Sequence, residues 1–170
     1  MKITKEHLSN AIDLAVTEHL GQYDKSGMPY ILHPLRVMDR VRRLTMTHMI
    51  VAVLHDSVED TSITIEYIRE HFGDTVADAV DAITHRPNEP KKEYWERVKN
   101  NHFAKAVKLE DIHDNMRYER LETLDEETRE RLLQKYMMAL IFLARGKEKR
   151  ERLIDPSSGA SSIERDIADG

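Results

Sequence analysis

The run MIVAVLHDSVEDT, Met49 to Thr61, decides how this chain is read. Its first part, Met49-Ile50-Val51-Ala52-Val53-Leu54, is apolar on every side, the mark of a helix inside a core. It then meets His55 and, within five residues, the carboxylates Asp56, Glu59 and Asp60. Burying that many ionisable groups costs free energy unless a cation or hydrogen bonds offset it. On a helix His55 and Asp56 lie about 100° apart. Glu59 falls one turn beyond His55, and Asp60 one turn beyond Asp56. All four can border one cavity. Acids at a helix C-terminus oppose the helix dipole, which a bound cation would relieve. Two readings stay open at this point: an acidic helix end facing water, or a metal site.

Working outward, helical periodicity continues on both sides. Thr4 caps an expected helix to about His19, with Leu8, Ile12, Ala15 and Val16 on one face. Gly21 to Pro29 reads as a loop, and His33-Pro34 opens a second helix with Pro at its favoured first position. Thr47 is the expected cap of a third, about His48 to Asp60, and Ser62 of a fourth, ended by Gly73. A fifth runs from Asp74 to near His85. Helices are expected over Lys91 to Asn100, His102 to Leu121 and Glu126 to Leu153. The last has acids at its start and bases near its end, which complements its dipole. Trp95 is expected in the core. No strand pattern or repeat appears, so the chain reads as an all-α, single-domain bundle over 1–154 with a disordered tail over 155–170.

With 170 residues, 40% hydrophobic and 34% charged, one domain with a sizeable core is expected. The absence of Cys excludes disulfides, thiolate nucleophiles and Cys-based zinc sites. No run approaches the roughly 20 apolar residues of a membrane span, and the start lacks a signal-peptide core. The expectation is a cytoplasmic protein with no membrane partner. A net charge of −5 disfavours nucleic acid, whose binding relies on many phosphate contacts. A small anion held by local Lys and Arg remains compatible with it, as does a homodimer.

A second chemical group lies in AVKLEDIHDN, Ala106 to Asn115. Lys108, Asp111 and Asn115 fall along one helix stripe, whereas His113 and Asp114 are less well placed for it. A solvated charged face is the commoner use of such residues. His33 is a third candidate, with simple helix capping as its plain alternative. His7, His19, His48, His71, His85 and His102 show no carboxylate pattern and read as structural or exposed. Arg86, Lys91, Lys92 and Arg97 can gather near a pocket mouth, although Lys91 and Lys92 are the more natural members of a solvated face.

Taken in order, His33, His55-Asp56 and Asp111 resemble the H…HD…D signature of the HD phosphohydrolase superfamily. GQYDKSGMPYILHP resembles the loop G-Q-x-x-K-S-G-x-P-Y-I-x-H-P of one branch. AVLHDSVEDT resembles its A-x-L-H-D-x-V-E-D-T, and AVKLEDIHDNMR its V-K-L-A-D-x-x-x-N-M-R. That branch is the hydrolase domain of the Rel/Spo alarmone enzymes, in its stand-alone form the small alarmone hydrolases. The resemblance spans about Leu14 to Arg117. It implies an all-α HD-type bundle with His33, His55, Asp56 and Asp111 as metal ligands, and Mn²⁺ as the ion. A Cys-free set of two imidazoles and two carboxylates suits such a first-row divalent ion. It implies Glu59 and Asp60 as the catalytic acidic pair and Asn115 as a polar group beside the metal. Lys25 and Ser26 match phosphate-contacting loop residues, and Lys108 and Arg117 are further candidates for phosphate or ribose. The implied reaction removes the 3′-pyrophosphate from a guanosine or adenosine polyphosphate.

The chain departs from that pattern twice. Asp24 stands where many long alarmone enzymes have an Arg that packs on the base, and Ile112 stands where the A-D-R-x-x-N motif has its Arg. Tyr23 offers a ring for stacking instead. These changes leave the metal set whole and bear on substrate preference. Competing readings are an HD phosphohydrolase acting on another small nucleotide and a non-catalytic alarmone-binding module. Synthetase activity is disfavoured, since only one long helix and a tail follow the matched region.

Overall fold

The computed structural model describes residues 1–144. The element order is α1 (Lys5–Glu18), α2 (Leu32–Val41), α3 (Met46–Leu54), α4 (Ser57–Asp60), α5 (Ile65–Phe72), α6 (Asp74–Ile83), α7 (Lys91–Asn100), α8 (His102–Asn115), α9 (Tyr118–Leu121) and α10 (Glu126–Ala144). Among the described residues there is no strand, only an isolated bridge between Tyr23 and Pro29. The extension of the last helix to Leu153 and the tail expected over 155–170 lie outside the described residues.

The apolar run that opened the reading is the central rod. Ile50, Val51, Ala52, Val53 and Leu54 of α3 each have 0% exposure, with α1, α2, α6 and α8 packed around them. α8 is the second organising helix, touching α2, α3, α6, α7 and α10. One core gathers α1, α2, α3, α5, α6 and the start of α8, including Val37, Ile68, Val76 and Val107. A smaller one joins α7, α8 and α10 through Tyr94, Val98, Ile112, Ala139 and Leu143.

Helix starts follow side-chain capping. Thr4 accepts from the backbone N–H of His7, and Asn101 from those of Phe103 and Ala104. Two caps differ from expectation. Thr45, not Thr47, accepts from His48 N and starts α3; Thr64, not Ser62, accepts from Tyr67 N and starts α5. In each case the residue used is extended, as a cap must be, and the rejected candidate lies on the wrong side of the first turn. Gly73, at φ +83°, ends α5 and turns the chain into α6.

The expected continuous helix from His48 to Asp60 is broken. α3 stops at Leu54, and Asp56, at φ −102° and ψ −6°, leads into the short α4. The carboxylates therefore do not sit on the same rod as the apolar run. The expected helix His102 to Leu121 also divides, at Met116 and Arg117, into α8 and α9.

Candidate metal centre and its cavity

The candidate ligand atoms come from three segments. α2 carries His33 one residue into its first turn, the α3–α4 junction carries His55 and Asp56, and α8 carries Asp111. His33, His55 and Asp111 are all buried, and one ligand atom from each lies within 4.8 Å of the others. His33 Nε2 is 3.0 Å from Asp111 Oδ1 and 3.8 Å from Asp56 Oδ2. His55 Nε2 is 3.0 Å from Asp56 Oδ2 and 3.7 Å from Asp111 Oδ1.

The far side of each ring is tied. His55 Nδ1 lies 2.7 Å from the Ala52 carbonyl, which can only accept, so the ring donates there. His33 Nδ1 lies 2.8 Å from Asp114 Oδ2. Both rings thus turn Nε2 toward the carboxylates, and His55 Nε2 is buried without a hydrogen-bond partner of its own. Two imidazole nitrogens and two carboxylates converging on one buried point fit a divalent cation by donor type and by charge.

Without a cation, protons do the balancing. Burial alone would lower the pKa of His55, but the negative charges of Asp56 and Asp111 beside it outweigh it and push the imidazole up to about 10. Burial works to raise Asp111, yet the Lys108 ammonium, at 2.8 Å, and the two histidines hold its carboxyl well below the usual range. Lys108, despite burial, is correspondingly raised, and its ammonium also lies 5.6 Å from the Tyr94 ring centre. Asn115 donates its amide to Asp111, and the Tyr30 hydroxyl donates to Asp56.

Above this floor opens a cavity of about 320 Å³. Asp56, Glu59 and Asp60 border it, together with Tyr30, His33, Asp111 and Asn115. Burial and the neighbouring Asp56 and Glu59 charges raise the Asp60 carboxyl. Glu59 accepts from the backbone N–H of His85 at 3.0 Å. The walls carry Lys91, Lys108 and Lys135, with Tyr94, Trp95, Ile112 and Tyr136 supplying apolar surface.

The structure therefore brings His33, His55, Asp56, Asp111, Glu59, Asp60, Asn115 and Lys108 together. The other expected substrate residues are not among those lining the cavity, although Lys25 is near enough to Lys135 for its charge to repel that ammonium. Tyr23 is exposed and Lys25 sits on the surface of the loop. The Ser26 hydroxyl donates to Asp24 at 2.7 Å. Arg117 is paired with Glu119 at 3.3 Å and lies 3.8 Å from Asp114. Asp24 is the organiser of its loop: one oxygen accepts from Ser26 N, Ser26 Oγ and Met28 N, and the other lies 4.0 Å from Arg120. Its charge is balanced locally and is not among the groups facing the cavity.

The basic groups expected at the mouth exchange places. Arg97 pairs with Glu89 at 2.6 Å and donates to the Asp81 and Thr84 carbonyls, while Arg86 pairs with Asp81 at 2.8 Å. Lys91, expected on a solvated face, lines the cavity. Trp95 is half-buried between the cavity and Phe142, not enclosed in the core. His85 also lines the cavity, which no pattern around it in sequence signalled.

Further groups were missed. Lys135 and Tyr136 come from a helix distant in sequence, with no motif of their own. Asp114, set aside as off the stripe, has 0% exposure and contacts His33, Arg36 and Arg120. The one available signal was its place three residues after Asp111, which keeps it on the same side of α8.

A helical bundle whose buried histidines and aspartates converge beneath a polar cavity presents a donor set that a divalent cation would fit. The HD domain family matches residues 11–118, and the chain belongs to that family. A guanosine-3′,5′-bis(diphosphate) 3′-pyrophosphohydrolase of Aquifex aeolicus is 43% identical over 81 residues, covering 46% of this chain and 12% of that protein. The guanosine-3′,5′-bis(diphosphate) 3′-pyrophosphohydrolase MESH1 of Danio rerio is 36% identical over 121 residues, covering 65% of this chain and 67% of that protein. The chain spans only about a tenth of the long bacterial relatives, 12% and 10% for those of Aquifex aeolicus and Mycobacterium leprae. A solved structure of a metazoan ortholog of SpoT that hydrolyzes ppGpp has the same fold, with a TM-score of 0.73 at 23% identity, covering 85% of this chain and 89% of that one.

Proposed function

We propose that this chain is a Mn²⁺-dependent pyrophosphohydrolase that removes the 3′-pyrophosphate from a guanosine or adenosine polyphosphate, releasing pyrophosphate and the 5′-nucleotide. The observation that carries the reading is the pair of imidazoles, each tied at Nδ1, turning Nε2 toward Asp56 and Asp111 beneath a lysine-walled cavity. The activity named for the zebrafish relative, matched over most of its length, supports the choice of substrate class.

In this reading His33, His55, Asp56 and Asp111 hold the ion. When bound, it supplies positive charge and Lewis acidity against the pyrophosphate. The chain's own groups do the rest. Water must lose a proton as it attacks phosphorus, and the departing 3′-oxygen must gain one. Asp60, whose carboxyl is raised by burial and by Asp56 and Glu59, is suited to take a proton and return it. Glu59, oriented by His85 N–H, aligns the water. Asn115 holds Asp111 by its amide. Lys108 is committed to Asp111, so Lys91 and Lys135 are the ammoniums assigned to phosphate oxygens. Burial and repulsion from Lys108 lower the Lys135 pKa, a strain that an anionic phosphate would relieve. Lys25, Ser26, Tyr23 and Arg117 are assigned to parts of the substrate that project beyond the cavity.

Purified protein supplied with Mn²⁺ and offered ppGpp and ppApp in parallel tests this. Pyrophosphate release from either, abolished by a chelator, is the expected result and identifies the base. Tight binding without release would replace the enzyme by a binding module, and neither would remove the alarmone from the proposal.

A further inference from the structure

Asp114 is a fully buried carboxylate that the metal set does not use, and its surroundings are unusually complete. Arg36 Nε donates to Oδ1 at 2.8 Å, and Arg36 Nη2 to Oδ2 at 3.0 Å. Arg120 Nη1 donates to Oδ2 at 2.9 Å, and His33 Nδ1 lies 2.8 Å from the same oxygen. Guanidinium groups donate only, so Asp114 is held as an acceptor on every side. Its contact with His33 must then be a bond that the ring donates. Arg120 also reaches toward Asp24, at 4.0 Å, which organises the loop before α2. One carboxylate thus joins α2, α8, α9 and, through Arg120, the Asp24 loop.

Resting on the reading of His33 as a metal ligand, we infer that Asp114 is the positioning residue of this centre: clamped by Arg36 and Arg120, it holds the His33 ring so that Nε2 is the bare nitrogen facing Asp56 and Asp111. The two arginines balance its charge and fix its plane. The carboxylate in turn fixes the ring's rotation and which nitrogen carries hydrogen. His55 needs no such partner, because the Ala52 carbonyl of its own helix turn performs that task. His33 sits at the start of α2, where the Tyr30 carbonyl three residues back accepts the His33 backbone N–H, and the ring takes its partner from α8.

Asp114→Asn is close in size but offers an amide that can donate to Nδ1, which would move the ring hydrogen to Nε2 and block it. The full chain and this variant are compared by titration with Mn²⁺ and, for ring nitrogens, by ¹⁵N NMR with diamagnetic Zn²⁺. The expected result is a loss of about 10–100-fold in Mn²⁺ affinity for Asp114→Asn. Arg97→Ala, whose lost bonds to Glu89 and to the Asp81 and Thr84 carbonyls lie outside the centre, lowers the melting temperature but changes that affinity by less than about 3-fold, which separates positioning from simple support. If Asp114→Asn fails to fold, the wild-type spectrum decides: His33 must bind Zn²⁺ through Nε2 and keep its hydrogen on Nδ1. Ligation through Nδ1, or unchanged affinity in a folded Asp114→Asn, overturns the inference alone. No metal binding by the wild-type chain overturns the metal reading with it.

Discussion

Replacing Lys108 by Met tests whether the floor of the cavity needs a cation, whatever its source. The Lys108 ammonium is 2.8 Å from Asp111 Oδ2 and its side chain is 21% exposed. Met keeps most of the stem that packs near Tyr94 but leaves Asp111 without its nearest counter-charge. Breaking a buried pair on one side costs about 3–5 kcal/mol. Asp111 keeps His33 at 3.0 Å and the Asn115 amide, so the lower end, about 3 kcal/mol, is the working figure. For a chain of this length each kcal/mol moves the melting temperature by about 2–4 °C, so about 6–12 °C is expected in a chelator. Saturating Mn²⁺ places charge against the same carboxylate, and the gap between wild type and Lys108→Met should then shrink to about 1 kcal/mol or less. Differential scanning calorimetry with and without the ion reads both quantities. An equal drop in both conditions would refute the reasoning, because Asp111 would then be indifferent to which cation it faces.

His55→Ala should abolish Mn²⁺ binding and turnover together, whereas Glu59→Gln should cut turnover by at least about 100-fold and keep the ion; calorimetric titration beside a pyrophosphate assay separates them. In the metal-free protein His55 is raised from 6.5 to about 10, so the stability it contributes is complete below pH 6.5 and is lost as pH rises through 10. The ion must displace that proton, so Mn²⁺ affinity should weaken by up to about tenfold per pH unit lowered from 8.5 to 7.5, and a flat profile would contradict the assignment. Lys91→Ala should raise KM by about tenfold with stability unchanged, while Arg97→Ala, which loses Glu89 and two carbonyls, should lower the melting temperature; the reverse pattern would return Arg97 to the cavity.

The parts of the molecule governed by local periodicity were legible. The all-α architecture, the buried character of Ile50 to Leu54 and the helix start at Thr4 depend on residues within a turn or two. The break at His55 was not legible, because the apolar run gives no stop signal; it arises where the His55 ring takes the Ala52 carbonyl and Asp56 leaves helical geometry. The metal-type cluster was readable as a set of residue types in order. The arginines were not: Arg86 and Arg97 look as available in sequence as Lys91, and only the placement of Asp81 and Glu89 neutralises them. Asp114 was hidden for the same reason, since its partners Arg36 and Arg120 are set by how α2 and α9 meet α8. Asp24 appeared as a charge change toward substrate, and the structure makes it a turn residue.

The cavity is lined by two separable stretches of chain. Its floor lies inside residues 11–118, which match the HD domain family, while Lys135, Tyr136 and Ala139 on its wall belong to α10, beyond that segment. The histidines and carboxylates at the bottom and this part of the wall are therefore encoded apart, while Lys91, Tyr94 and Trp95 share the matched segment. Substitutions in α10 alter this part of the wall without replacing His33, His55, Asp56 or Asp111 themselves. Such a layout lets one wall drift while the four residues at the floor are kept.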